Sequence, residues 1–178
     1  MRKLIILAIS LAASLSAFGQ IALVGHSYAN SSAYYAAGPT SPAVNTVATN
    51  TSLEAACVTA NVNIYTSQSV TDSCGNTLTW VADIQESNDS DVALFVKVNP
   101  IQCSSATISV NAGSAYLPSV QAMFFSGVAS GPDQKSSATG FSSSAGTGSV
   151  TPTNNNELIL SCISAQATSF AQVSPMTQ

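Results

Sequence analysis

Between Val70 and Trp80 the chain reads VTDSCGNTLTW, which places an aspartate, a thiol, a glycine and an asparagine within Asp72 to Asn76. Three chemistries could use that grouping. A nucleophilic cysteine needs a base or another neighbour that lowers its thiol pKa, and the one histidine, His26, lies about fifty residues upstream. A calcium loop needs oxygen ligands at alternate positions, and here Cys74 stands at the middle one. A turn uses every residue. Asp72 and Ser73 can accept backbone N–H bonds, Gly75 tolerates positive φ and Asn76 tolerates the left-handed region. The stretch therefore reads as a turn with a staple in it.

The other groups that could do chemistry are scattered. His26, in GHSYAN, would have to serve any Ser-His-Asp arrangement, and the chain has no G-x-S-x-G elbow to present a serine; it reads as a loop histidine. Asp83 and Glu86 are the least implausible pair of carboxylates for glycoside hydrolysis, but such residues are ordinary at a solvated strand end. QESNDSD supplies Glu86, Asp89 and Asp91 as a weak calcium candidate without the glycine-centred pattern of a dedicated loop. Tyr28, Tyr34 and Tyr35, set among Ser and Asn, could form an aromatic platform for a polar ligand such as a sugar. Packing against their own domain is the commoner fate of such tyrosines. No catalytic constellation, cofactor motif or firm metal site emerges.

The elements that would position these residues follow from the ends inward. Residues 1–19 carry Arg2 and Lys3, then an apolar run from Leu4 to Leu15, then Ala17 and Gly19. This is the pattern of a secretory signal peptide cut before Gln20. The run is shorter than the roughly 20 apolar residues a membrane-spanning helix needs. Residues 20–178 suffice for one domain with its own core, and no insertion of this domain into a membrane is expected. Beyond the leader, Lys97 and Lys135 face eight acids, a net charge of −6. Without a basic patch the chain has nothing to hold phosphates, which argues against nucleic acid as a partner.

The four cysteines, Cys57, Cys74, Cys103 and Cys162, are an even set in a chain marked for export and read as two disulfides. Cys74 and Cys103 both fall in turn regions at strand ends, so they are the natural pair, leaving Cys57 for Cys162. Closing the first loop, of about 30 residues, is worth roughly 3–4 kcal/mol in the chain-entropy model. One objection stands against the second pair. If the alternation that follows it extends back, Cys57 shares the polar face with Thr59 and Asn61.

That alternation is the clearest periodic signal. Val58, Ala60, Val62 and Ile64 alternate with polar residues, and the same period of two recurs at Thr77–Ala82, Asp91–Val98 and Thr107–Asn111. Ser119–Gly127 and Glu157–Ser164 are apolar on both faces and read as central strands. A first strand is expected before Gly25, another around Ala43–Ala48, and an edge strand near Gly148–Thr151. The fold expected is all-β, a two-sheet antiparallel sandwich, jelly-roll-like or immunoglobulin-like. Its core should hold Leu78, Trp80, Leu94, Val96, Ile108, Val110, Phe124 and Leu158.

VTDSCGNTLTW, VALFVKVNP, ATISV, VQAMFFSGV followed by DQ, and VTPTNNNELIL, in that order, resemble a family of exported bacterial β-sandwich proteins of unassigned function. The resemblance spans about Leu53 to Ala165. It implies a fold and contributes no catalytic residues. It also implies a module that continues past the end of this chain, so a closing C-terminal strand is expected to be missing. The function expected is that of a non-catalytic secreted or cell-surface protein binding or adhering to a glycan or another surface polymer. The alternatives are a structural surface or matrix subunit that self-associates and, remotely, a hydrolase.

Overall fold

The computed structural model describes residues 20–30, 40–44, 51–60, 69–86, 90–111, 118–138, 149–151, 153 and 157–163. Among them are seven strands and no helix: β1 (Ala22–Asn30), β2 (Leu53–Ala60), β3 (Ser69–Asp72), β4 (Thr77–Glu86), β5 (Ser90–Val98), β6 (Ile108–Asn111) and β7 (Ser119–Ser126). The leader, Tyr34, Tyr35, Asp89 and Gly148 lie outside the described residues.

All pairings are antiparallel, in the order β1-β7-β2-β5-β4-β3-β6. The strands form one curled sheet where the sequence suggested two. The reason lies in β4, which is long enough to serve two partners. Thr77 and Leu78 pair with β3, while Thr79 to Glu86 pair with β5. The ladder thus runs round the corner unbroken, and β6 at one edge comes over against β7 near the other. Β-strand β3 was hidden in the sequence because its four residues sit between turn signals.

Inside the curl, Val58, Val70, Ile108, Val120 and Phe124 are fully enclosed, packed with Ala56, Leu78, Phe95 and Val110. Alanines at 56, 93, 106 and 122, all buried, let the backbones approach where larger side chains would force the curl open. Burying each Val, Leu, Ile or Phe side chain contributes about 1.5–3 kcal/mol.

The convex face is apolar too, which is why β5 reads as hydrophobic at both parities. Leu53, Ala55, Val96 and Phe125 are buried there, with Leu94, Val98, Met123, Leu158 and Leu160 packed against them. Leu158 and Leu160 belong to residues 157–163, which form no strand. The segment is instead an extended strap across the sheet. Leu158, Leu160 and Cys162 face it, whereas Ile159 and Ile163 are 42% and 47% exposed, which separates the strap from the central strand expected of ELILSCIS. Ser149–Thr151, expected at an edge strand, is likewise irregular and exposed.

Cys162 ties the strap to β2 by a disulfide to Cys57, and Cys74 pairs with Cys103, each with Cα atoms 5.7 Å apart. The phase objection dissolves without a bulge. Cys57 does lie opposite Val58 and on the face of Thr59, but that face is covered by the strap and was never a polar one. Two disulfides suit a non-reducing, non-cytoplasmic setting, and no helix among the described residues is long and apolar enough to cross a membrane. Replacing Cys57 and Cys162 together by serine removes closure of a loop of 105 residues. A loss of about 5 kcal/mol is expected in the chain-entropy model. Urea unfolding of the oxidised protein and the double variant measures it, and unchanged stability would show that the strap is not anchored through Cys57.

Candidate functional site

Trp80 was expected in the core, and the structure corrects this: it is 46% exposed. Leu78 is enclosed on the concave side and the register slips between Trp80 and Ala82, so that an extra residue of β4 faces β5 beside Phe95. A bulge of this kind re-aims a side chain. Leu78, Trp80 and Ala82, which alternate cleanly in sequence, therefore do not share one buried face. The other expected core residues divide between the two faces: Leu78, Ile108, Val110 and Phe124 inside the curl, Val96 with half-buried Leu94 and Leu158 outside it.

The wall beside Trp80 comes from the chain after β7. Gly127 turns it with φ of 77°, the Val128 N–H donates to Ser52 Oγ at 2.7 Å, and Gly131 passes over Val98. Pro132, Asp133, Gln134 and Lys135 then border an open groove of about 550 Å³, floored by Thr79, Val81, Val96 and Val98 with Trp80. That volume falls within the range of small-molecule sites. Lys135 Nζ donates to the Val81 carbonyl at 3.1 Å and lies 5.2 Å from the centre of the Trp80 ring, a cation–π contact worth about 0.5–1 kcal/mol at an exposed position. Asp133 accepts a hydrogen bond from the Thr153 hydroxyl, with Glu157 Oε1 3.3 Å from the same oxygen. A flat apolar ring is thus edged by a carboxylate, an amide, an ammonium and a hydroxyl.

The second polar assembly surrounds the turn after β3. Asp72 Oδ1 accepts from the N–H of Cys74 at 3.0 Å and of Asn76 at 2.6 Å, and Oδ2 accepts from Asn76 Nδ2 at 2.7 Å. Gly75 takes φ of 94°, with open space around it. Asn76 also reaches the loop after β5, donating to the Ile101 carbonyl at 2.9 Å and accepting from the Ile101 N–H at 2.7 Å. The stretch VTDSCGN is a turn stapled by Cys74–Cys103.

What sequence reasoning missed is the group beside it. Glu54, on β2, is completely buried and neither carboxylate oxygen meets a donor. Asp72 lies close enough to act on it. Burial first, then the Asp72 charge and hydrogen bonding to Asp72, push the Glu54 pKa up to about 8, against a partial opposing pull from Lys97. The only signal in the sequence was a lone acid ahead of a strand, LEAACV, where most neighbours are apolar.

The remaining candidates lie apart. His26 and Tyr28 belong to β1, where both are exposed, so the histidine is a strand residue and not a loop one. Tyr34 and Tyr35, the rest of the tyrosine platform, are outside the described residues. The acids of QESNDSD are divided: Glu86 ends β4, Asp89 is not described and Asp91 is fully buried at the start of β5. Asp83 is half-buried beside Trp80 and Lys135. Among the described residues no three His, Cys, Asp or Glu side chains cluster as metal ligands would. Compared with protein-family models, curated proteins and solved structures, the chain has no match in any of the three.

The two assemblies should respond differently to truncation. Asn76→Ala strips two hydrogen bonds from Ile101 and the side-chain one from Asp72, leaving only the backbone N–H of residue 76 on that carboxyl, and is expected to cost about 2–4 kcal/mol of folding stability. Trp80→Ala should cost under about 1 kcal/mol, as changes at exposed positions do. Chemical denaturation compares them, and equal losses would place Trp80 in the core after all.

Proposed function

We propose that this is a non-catalytic exported protein whose groove at Trp80 binds a glycan or a similar hydroxyl-rich surface polymer. The observation that carries the reading is the half-exposed indole set in that groove. A pyranose presents a flat face of C–H groups rimmed by hydroxyls. Such a face can lie on an indole while Thr79, Asp133, Gln134 and Lys135 supply donors and acceptors at its edge. An open groove suits a chain that passes through more than a small molecule that must be enclosed. Export draws support from the leader-like first 19 residues and the two disulfides. The resemblance to exported β-sandwich proteins belongs to the same reading.

A second reading, self-association as a surface or matrix subunit, is favoured by β1. Among the described residues it pairs on one side only, with β7, and it exposes Leu23 and Tyr28. A strand edge of this kind can accept another strand.

Retention on immobilised polysaccharides, followed by size analysis across a concentration series, separates the two. The first reading expects a monomer retained by at least one polysaccharide, with Trp80→Ala weakening binding by about 1–3 kcal/mol, as loss of an aromatic anchor does. Concentration-dependent assembly with no retention supports the second. Retention indifferent to Trp80→Ala removes the groove from the first.

A further inference from the structure

Removal of the leader creates a reactive terminus that the uncut chain lacks. Ala17 and Gly19, small residues at the third and first positions before the cut, put the new first residue at Gln20. A glutamine in that place carries an α-amine and a carboxamide separated by a short, flexible stem. The amine, with a pKa of about 8, is partly unprotonated in neutral medium and is then a nucleophile. Its own side-chain carbonyl is the electrophile within reach.

The fold leaves the two groups free to meet. Gln20 is exposed and stands outside the ladder, whose first pair is Ala22 with Ser126. Ring closure has to turn the side chain back onto its own main-chain nitrogen. A residue inside β1 has that nitrogen committed to extended backbone in the sheet, whereas one placed two positions ahead of the strand does not. Exposure also opens the terminus to solvent and to any catalyst of the cyclisation.

We propose that Gln20 is a modification site, converted to pyroglutamate once the leader is cut; this rests on the export reading above. The α-amine nitrogen attacks Cδ of the Gln20 carboxamide and forms the C–N bond of a five-membered lactam. The bond from Cδ to Nε2 breaks, and that nitrogen leaves as ammonia with a proton from the amine. No oxidant, reductant or second substrate is consumed. From Gln20 to Val96 the chain has no lysine or arginine, so the α-amine is, besides His26, the only group of that stretch able to carry a positive charge. The lactam puts a neutral ring ahead of β1 in its place and closes the terminus to aminopeptidases, which require a free α-amine.

The full chain, leader included, is expressed in a secreting host and the exported product is recovered. Its intact mass should equal that of residues 20–178 with both disulfides formed, less one ammonia, in the greater part of the material. Stepwise N-terminal sequencing should be blocked, and treatment with pyroglutamyl aminopeptidase should release it to read Ile21, Ala22, Leu23. Gln20→Ser should sequence without that treatment and show no loss of ammonia. A product of residues 20–178 that keeps the ammonia and sequences directly overturns the lactam and leaves the export reading standing. A first residue other than Gln20 in an exported product does the same. A chain that stays inside the cell with its leader attached overturns both.

Discussion

Asp72 accepts three N–H bonds with one carboxylate, and most of one end of the molecule depends on that acceptance. It closes the turn between β3 and β4, fixes Asn76 so that its amide can hold Ile101 in both directions, and brings Cys74 to Cys103. A buried carboxyl is tolerable only when its oxygens find partners, and this one finds them within its own turn. Removing the Asn76 side chain takes one partner from that carboxyl and both side-chain partners from the Ile101 backbone.

Curling has a second cost, on the outside. A sheet whose central strands β2, β5 and β7 are apolar on both faces must be covered on both, and the curl covers only the concave one. The strap at 157–163 and the segment after Gly127 cover the other. Their coverage stops at the bulge in β4, and that is where Trp80 and its groove lie. The candidate binding surface is thus the border of the convex core, where an apolar floor runs out from under its cover and polar side chains begin.

Much of the architecture was legible. Periodicity located β4, β5 and β6, an apolar run located β7, and turn chemistry read the VTDSCGN stretch correctly because each of its residues serves a local backbone need. The turn positions of Cys74 and Cys103 led to their pairing, which left Cys57 for Cys162. Three things were not legible, each for a physical reason. The bulge at Trp80 reverses a phase that looks regular in one dimension, since a register slip is a property of two strands and not of one. A continuous apolar run cannot tell a central strand from an irregular strap that leaves every second residue exposed, which is how ELILSCIS misled. And Glu54 comes under the influence of Asp72 only because the sheet curls, since their strands are not neighbours in the ladder.

The nested order of the disulfides bears on how the molecule matures. As the chain emerges from its N-terminal end, Cys57 and Cys74 are the first two thiols available to each other, and they are not partners. Oxidation at first encounter would trap the wrong ring. The inner bridge can form once the loop after β5 has been made, whereas Cys57 must wait for nearly the whole chain before Cys162 arrives to meet it. Were that ring to form first, thiol–disulfide exchange would be needed to undo it. The last bond to close is the one that fastens the strap over an already assembled sheet, in the manner of a clasp.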